Sequence, residues 1–132
     1  MVHEWALAEG VCRYVTNVAG GRRLKKVKIA LGELQSVDEE VLKFALTELL
    51  KAQGFEIGEG LIELVVKHAV MQCRKCGHLW SLGEVDLSEE EREAVHFIPE
   101  VIRAYTSCPK CNSRDFEVVE GRGVEILEVS LE

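Results

Sequence analysis

CRKCGH at residues 73–78 and CPKCNS at residues 108–113 decide how this chain folds, because Cys73, Cys76, Cys108 and Cys111 are four of its five cysteines. Two residues between cysteines let one tight turn aim both sulfurs at a single ion. Two such turns complete the tetrahedral four-thiolate shell that Zn²⁺ favours. The interval from Cys76 to Cys108 is longer than the commonest ribbon spacing, which implies an inserted segment between intact half-sites. Four thiolates leave no open coordination position, so the metal holds structure and does not activate water. The disulfide alternative needs an oxidising compartment, whereas the chain opens without a signal-peptide pattern. The remaining Cys12 lies in an apolar helical pattern and reads as a small buried hydrophobe. The same sulfur cage also suits iron in a rubredoxin-type electron carrier, and spacing alone does not separate the two metals.

The length of 132 residues fits one domain or two very small ones sharing a sheet. A piece of about 50 residues is too small to hold itself together by burial alone, and a metal cluster supplements it. The formal charge is −7, with the acid spread through helices and termini, so nucleic acid is a poor partner. Arg22, Arg23, Lys25, Lys26 and Lys28 form one local basic patch, read as a solvated strand edge and not as a phosphate track. No apolar run approaches the roughly 20 residues that span a bilayer. The expectation is a cytoplasmic protein with no membrane partner, its self-association left open.

Outward from the cysteines, Trp5, Ala8, Val11, Cys12, Val15, Val18 and Ala19 recur at helical spacing until Gly20-Gly21. Val27, Ile29 and Leu31 alternate with Lys26, Lys28 and Ala30, which predicts a half-buried strand with its lysines in water. Ser36 and Glu39 have capping-box spacing ahead of Val41, Leu42, Ala45, Leu46, Leu49 and Leu50, predicting a second helix over about 38–52. Ile62, Leu64 and Val66 make a further strand that feeds the first knuckle. Phe116–Val118 and Val124–Leu131 follow the second knuckle as strands, parted by Gly121-Arg122-Gly123. Between the knuckles, Ser88 starts the acidic run Glu89, Glu90, Glu91, Glu93, able to open a helix that Pro99 interrupts.

The predicted fold class is α+β: two helices packed on a small mixed β-sheet, with an inserted zinc-ribbon-like module carrying both knuckles. Residues 1–68 plus 121–132 form the α/β domain, and residues 69–120 the zinc-binding domain.

Of the four histidines, His68 reads as surface or a hydrogen-bonding partner, and His96 as a packing or interface residue. His78, two residues past Cys76, is a candidate to ligate the zinc or support a ligand, a reading disfavoured because four cysteines already fill the shell. His3 is different. An α-amine, the intervening backbone nitrogens and an imidazole can wrap one metal in a plane, an arrangement suited to Ni²⁺ or Cu²⁺. With Met1 retained, the amine, two backbone nitrogens and His3 supply the square. With Met1 removed, the amine, one backbone nitrogen and His3 give three donors, and Glu4 completes it. Taken alone, so early a histidine is more often frayed surface.

The opening His3-Glu4-Trp5-Ala6-Leu7-Ala8, the strand end Leu31-Gly32-Glu33-Leu34 and the knuckles CRKC and CPKC, in this order, resemble the HypA family, across almost the whole chain. The resemblance implies a nickel metallochaperone, not an enzyme, that binds Ni(II) at its N-terminus and delivers it during maturation of [NiFe]-hydrogenase. It implies His3 as the nickel ligand with the adjacent Glu4, and structural Zn(II) on Cys73, Cys76, Cys108 and Cys111. The implied partners are the HypB GTPase and the hydrogenase large-subunit precursor. The family places histidine directly after methionine, whereas Val2 intervenes here. Two other classes compete: the iron electron carrier, and a zinc-ribbon nucleic-acid or protein interaction module, of which charge disfavours the nucleic-acid form.

Overall fold

The computed structural model describes residues 4–34 and 37–132, so His3 and Ser36 lie outside the described residues, as does the side chain of His96. The chain divides into two compact units. Among the described residues, one takes 4–30, 37–65 and 124–132, and the other takes 31–34 and 66–123.

In the first unit, helix α1 (Glu4–Ala19) and helix α2 (Glu39–Ala52) pack on each other. Ala8, Val11, Cys12, Val15 and Ala19 of α1, and Leu42, Ala45, Leu46 and Leu50 of α2, form the buried stripes. Both follow the three-and-four spacing that brings residues to one helix face. The stripe of α1 is narrower than its periodicity predicts: Trp5 and Val18 are 47% and 43% exposed. On α2 the same holds for Val41, 38% exposed. The sheet has the order β2–β1–β6, from strands β1 (Leu24–Gly32), β2 (Ile62–Lys67) and β6 (Val124–Leu131). The last strand thus returns to pair with the first. β1 buries Ala30 along with Val27 and Ile29, where alternation alone predicts Ala30 in water, because the end of this strand is covered on both faces. Lys26 pairs with Glu63 of β2 at 3.1 Å, which holds that glutamate below the usual carboxylate range by hydrogen bond and charge. Part of the basic patch is thereby neutralised within the fold.

The second unit is built on an antiparallel sheet, β4–β3–β5, from β3 (Val70–Cys73), β4 (Leu79–Ser81) and β5 (Phe116–Glu120). Met71 lies opposite Trp80 on one side and Val118 on the other, with an irregularity in register at Val70/Met71. Between the knuckles, helix α3 (Glu89–Phe97) starts with a complete capping box: Glu91 N donates to Ser88 Oγ at 3.1 Å, and Ser88 N to Glu91 Oε1 at 2.9 Å. The acidic run therefore opens a helix, as its spacing predicts. A 3₁₀ turn at Pro99–Val101 and the single-turn helix α4 (Ile102–Tyr105) lead back to the second knuckle. The core of this unit gathers Met71, Trp80, Leu82, Val95, Ile102 and Phe116 around Cys73 and Cys108.

Leu34 is fully buried in that same core. Its segment is anchored where Gly32 N donates to Gly123 O (2.7 Å), Glu33 N to Lys67 O (2.8 Å) and Leu34 N to Gly121 O (3.0 Å). Backbone meets backbone at this crossing. Gly121 has φ +81°, and a Cβ there would collide with the main chain of Ala69, while one on Gly32 would collide with Gly121. Only glycine permits both the conformation and the approach.

Candidate metal centre

Each knuckle is a copy of the other in hydrogen bonding. Gly77 N donates to Cys73 O at 3.0 Å, and Asn112 N donates to Cys108 O at 2.8 Å. Both donors follow the second cysteine of their pair, and both sit in the left-handed region, at φ +79° and +63°. Glycine and asparagine are the residues that adopt it most readily, so CGH and CNS carry the turn signal as well as the ligand. Further bonds close the turns: Cys73 N to His78 O at 2.9 Å, and Cys108 N to Ser113 O at 2.9 Å.

The turns bring all four sulfurs within 4.8 Å of one another, with Cys73 opposite Cys111 and Cys76 opposite Cys108 at 3.6 Å each. A tetrahedral ion with metal–sulfur bonds of about 2.3 Å requires sulfurs about 3.8 Å apart. The donor set therefore fits one four-sulfur ion. Cys73 and Cys108 are buried in the core, and Cys76 and Cys111 face solvent. His78 is absent from the cluster; its ring stacks on Trp80 at 6.3 Å and 12°, while Trp80 meets Phe116 edge-on at 5.2 Å.

Electrostatics inside the cluster are uneven. The Cys73 thiol is lowered to about 6, first by the Cys76 N–H aimed at its sulfur, then by the N–H of Lys75 and by neighbouring thiols, against the opposing effect of burial. For Cys108 burial acts most strongly and upward, yet the N–H groups of Cys111 and Lys110 and neighbouring thiols carry it below the ordinary thiol value. Cys111 goes the other way, to about 11. The Ser113 N–H favours its thiolate, but burial and the thiols of Cys73, Cys108 and Cys76 together outweigh that bond. Four sulfurs this close cannot all be anionic without a cation, and a divalent ion removes the conflict. Outside the cluster, Arg74 bridges Asp115 (3.0 Å) and Glu117 (3.5 Å), clasping the first knuckle to β5.

Comparison with known proteins places this geometry. A family model described as "Hydrogenase/urease nickel incorporation, metallochaperone, hypA" matches residues 2–131. The chain belongs to the HypA family. It is 50% identical to the hydrogenase maturation factor HypA of Thermococcus onnurineus (strain NA1), covering 99% of this chain and 96% of that protein. Identity to the factor of the same name from Pyrococcus furiosus is also 50%, with the same coverage. Among solved structures, the solution structure of a HypA protein aligns with a TM-score of 0.63 at 15% identity, covering 98% of this chain and 96% of that one. The solution structure of the Ni metallochaperone HypA from Helicobacter pylori aligns at 0.59 and 15%, covering 98% and 97%. At that identity the likeness concerns fold, and it bears out the expected α+β class with a knuckle-bearing module. The family's business is nickel incorporation and hydrogenase maturation.

The remaining site residues divide. Glu4 opens α1 and its Oε1 accepts the backbone N–H of Asp38 at 3.1 Å. His68 Nδ1–H donates to Glu33 Oε2 at 2.7 Å, and the ring is otherwise exposed. No helix among the described residues is long and apolar enough to cross a membrane.

Proposed function

We propose that this chain is a nickel chaperone with two separate metal sites: Ni²⁺, the cargo, at the N-terminus on His3 beside Glu4, and structural Zn²⁺ on Cys73, Cys76, Cys108 and Cys111. The observation that carries this reading is the closed four-sulfur centre. All four tetrahedral positions are taken by protein thiolates, so a nickel-incorporation protein must hold its exchangeable cargo elsewhere. An α-amine, backbone nitrogens and an early imidazole make a planar nitrogen set that suits Ni²⁺, whereas zinc, without a d-electron preference, takes the tetrahedral thiolates. On this reading the two-helix unit carries the nickel function and the cysteine unit the zinc function. The cargo passes in the cytoplasm, together with a GTPase of the HypB type, to the precursor of a hydrogenase large subunit.

Titration of Ni²⁺ into the zinc-loaded chain tests the assignment. His3→Ala, or a few residues added before Met1, is expected to abolish specific nickel binding while zinc content and helicity stay unchanged. Binding is expected to weaken as pH falls, because protons compete for an imidazole of ordinary pKa about 6.5 and an α-amine near about 8. Wild-type nickel stoichiometry and affinity in His3→Ala would sink the site.

A further inference from the structure

The cysteine unit carries a cavity that its metal chemistry does not use. Its volume is about 460 Å³, and its walls include Trp80, Glu84, Asp86, Tyr105, Thr106 and Arg114. Three of the groups there lack partners. Trp80 is 2% exposed, with its ring packed against His78 and Phe116, yet its Nε1–H has no acceptor among the described residues. A buried indole N–H normally finds one, because leaving it unpaired is costly. Asp86 and Arg114 are both exposed and opposite in charge. Their side chains form no ion pair or hydrogen bond with each other or with any other described residue. Glu84 differs: its Oε2 already accepts from Ser81 N at 2.7 Å and from Ser81 Oγ at 3.2 Å.

The cavity therefore offers one cation, one anion and one buried N–H donor. An inorganic anion would meet Arg114 but be opposed by Asp86, and a metal cation or simple amine would meet Asp86 but be opposed by Arg114. A ligand that carries both charges and a carbonyl uses all three groups. We propose that this cavity binds a zwitterion of peptide chemistry, with its carboxylate on Arg114, its cationic group on Asp86 and one of its carbonyls accepting from Trp80 Nε1–H. The volume is in the range of small-ligand sites, and three extended residues span about 10 Å.

Triglycine, zwitterionic at neutral pH, is the probe, titrated into the isotope-labelled, zinc-loaded full chain and followed by amide and indole cross-peaks. The Trp80 indole cross-peak, told apart from that of Trp5 with Trp5→Phe, is expected to shift together with the amides of Asp86, Thr106 and Arg114. Exposed ion pairs contribute modestly, so removing either charge from the probe is expected to weaken binding about fivefold. N-acetyl-triglycine removes the ammonium, and triglycinamide removes the carboxylate. Arg114→Ala is expected to weaken triglycine by the same factor but leave triglycinamide unaffected, since the lost cation then has no carboxylate to meet. Asp86→Ala should do the same with N-acetyl-triglycine. Both positions are exposed, so zinc content and the remaining cross-peaks should match wild type in each variant. Acetyl-Lys-Gly-Asp-amide carries the two charges on side chains in the same order. Tighter binding than triglycine assigns the natural ligand to a segment within a partner chain, and weaker binding assigns it to a free peptide or a chain end. The proposal is overturned if millimolar triglycine leaves the Trp80 indole cross-peak unmoved, or if the acetylated and amidated probes bind as tightly as the zwitterion.

Discussion

Cys108→Ala should remove both the zinc and the fold of the cysteine unit while leaving the two-helix unit standing. Cys108 is fully buried: its relative exposure is 0%, and it lies in one core cluster with Met71, Trp80 and Phe116. The unit spans residues 31–34 and 66–123, a size at which a hydrophobic core alone rarely nets more than about 3–5 kcal/mol. A structural four-ligand zinc site supplies on the order of 10 kcal/mol or more at neutral pH. Losing it therefore exceeds the margin, and the unit unfolds. Zinc quantified by mass spectrometry should fall well below one equivalent. Amide exchange should lose its protection across β3, β5 and α3 while α1 and α2 keep theirs. The pH dependence has a definite sign. Without metal Cys111 sits at about 11 and Cys73 at about 6, so at pH 7 an incoming ion displaces the Cys111 proton and finds Cys73 already largely ionised. Below about 6 the Cys73 proton competes as well, so occupancy is favoured at higher pH and falls more steeply once pH drops through that value. One full zinc in Cys108→Ala, with β3 and β5 still protected, would refute the reasoning.

Gly121→Ala combines positive φ with a main-chain collision at Ala69, and should destabilise the cysteine unit by about 2 kcal/mol or more in denaturant unfolding. Gly58→Ala, where a Cβ meets nothing within 4 Å, should stay within about 0.5 kcal/mol, and equal effects at both positions would remove the crossing argument. For partner docking, Glu9 and Arg13 are exposed on α1 just beyond the proposed nickel site. Charge reversal at both should weaken binding of a HypB-type GTPase or a hydrogenase precursor in surface-immobilised assays, and unchanged binding would exclude this face.

The parts of the fold that the sequence disclosed are those set by local spacing. Buried stripes at intervals of three and four located α1 and α2, and Ser88 with Glu91 three residues on located the start of α3. The knuckles were legible for the same reason, since two intervening residues fix a turn wherever it is placed. What spacing cannot express is the width of the surface that covers an element. Trp5 and Val18 satisfy the helical period but lie beyond the covered strip, and Trp5 meets Phe44, itself 59% exposed, edge-on at 6.3 Å. Ala30 is buried because the last four residues of β1 are covered on both faces, which period-two alternation does not express. Leu34 belongs to the cysteine unit's core through bonds to Lys67 and Gly121, contacts too remote in sequence for any local pattern. The pairing of Cys73 with Cys111 and the bond from Asp38 to Glu4 are of that same non-local kind.

The chemistry of the two proposed sites explains why one chain keeps them apart. A four-thiolate shell around a divalent ion carries a net charge of about −2, and each knuckle answers with backbone N–H groups and a lysine between its cysteines. The Cys76 N–H and then that of Lys75 lower the Cys73 thiol, and at Cys108 the N–H groups of Cys111 and Lys110 outweigh the upward effect of burial, so both buried sulfurs are held below the ordinary thiol value. With those two sulfurs buried, release of the ion requires the core to open, which suits a metal that stays. Cargo needs the opposite arrangement. An imidazole and an α-amine, the donors proposed for nickel at His3, take up protons near neutral pH, so an ion held on them would be released as pH falls.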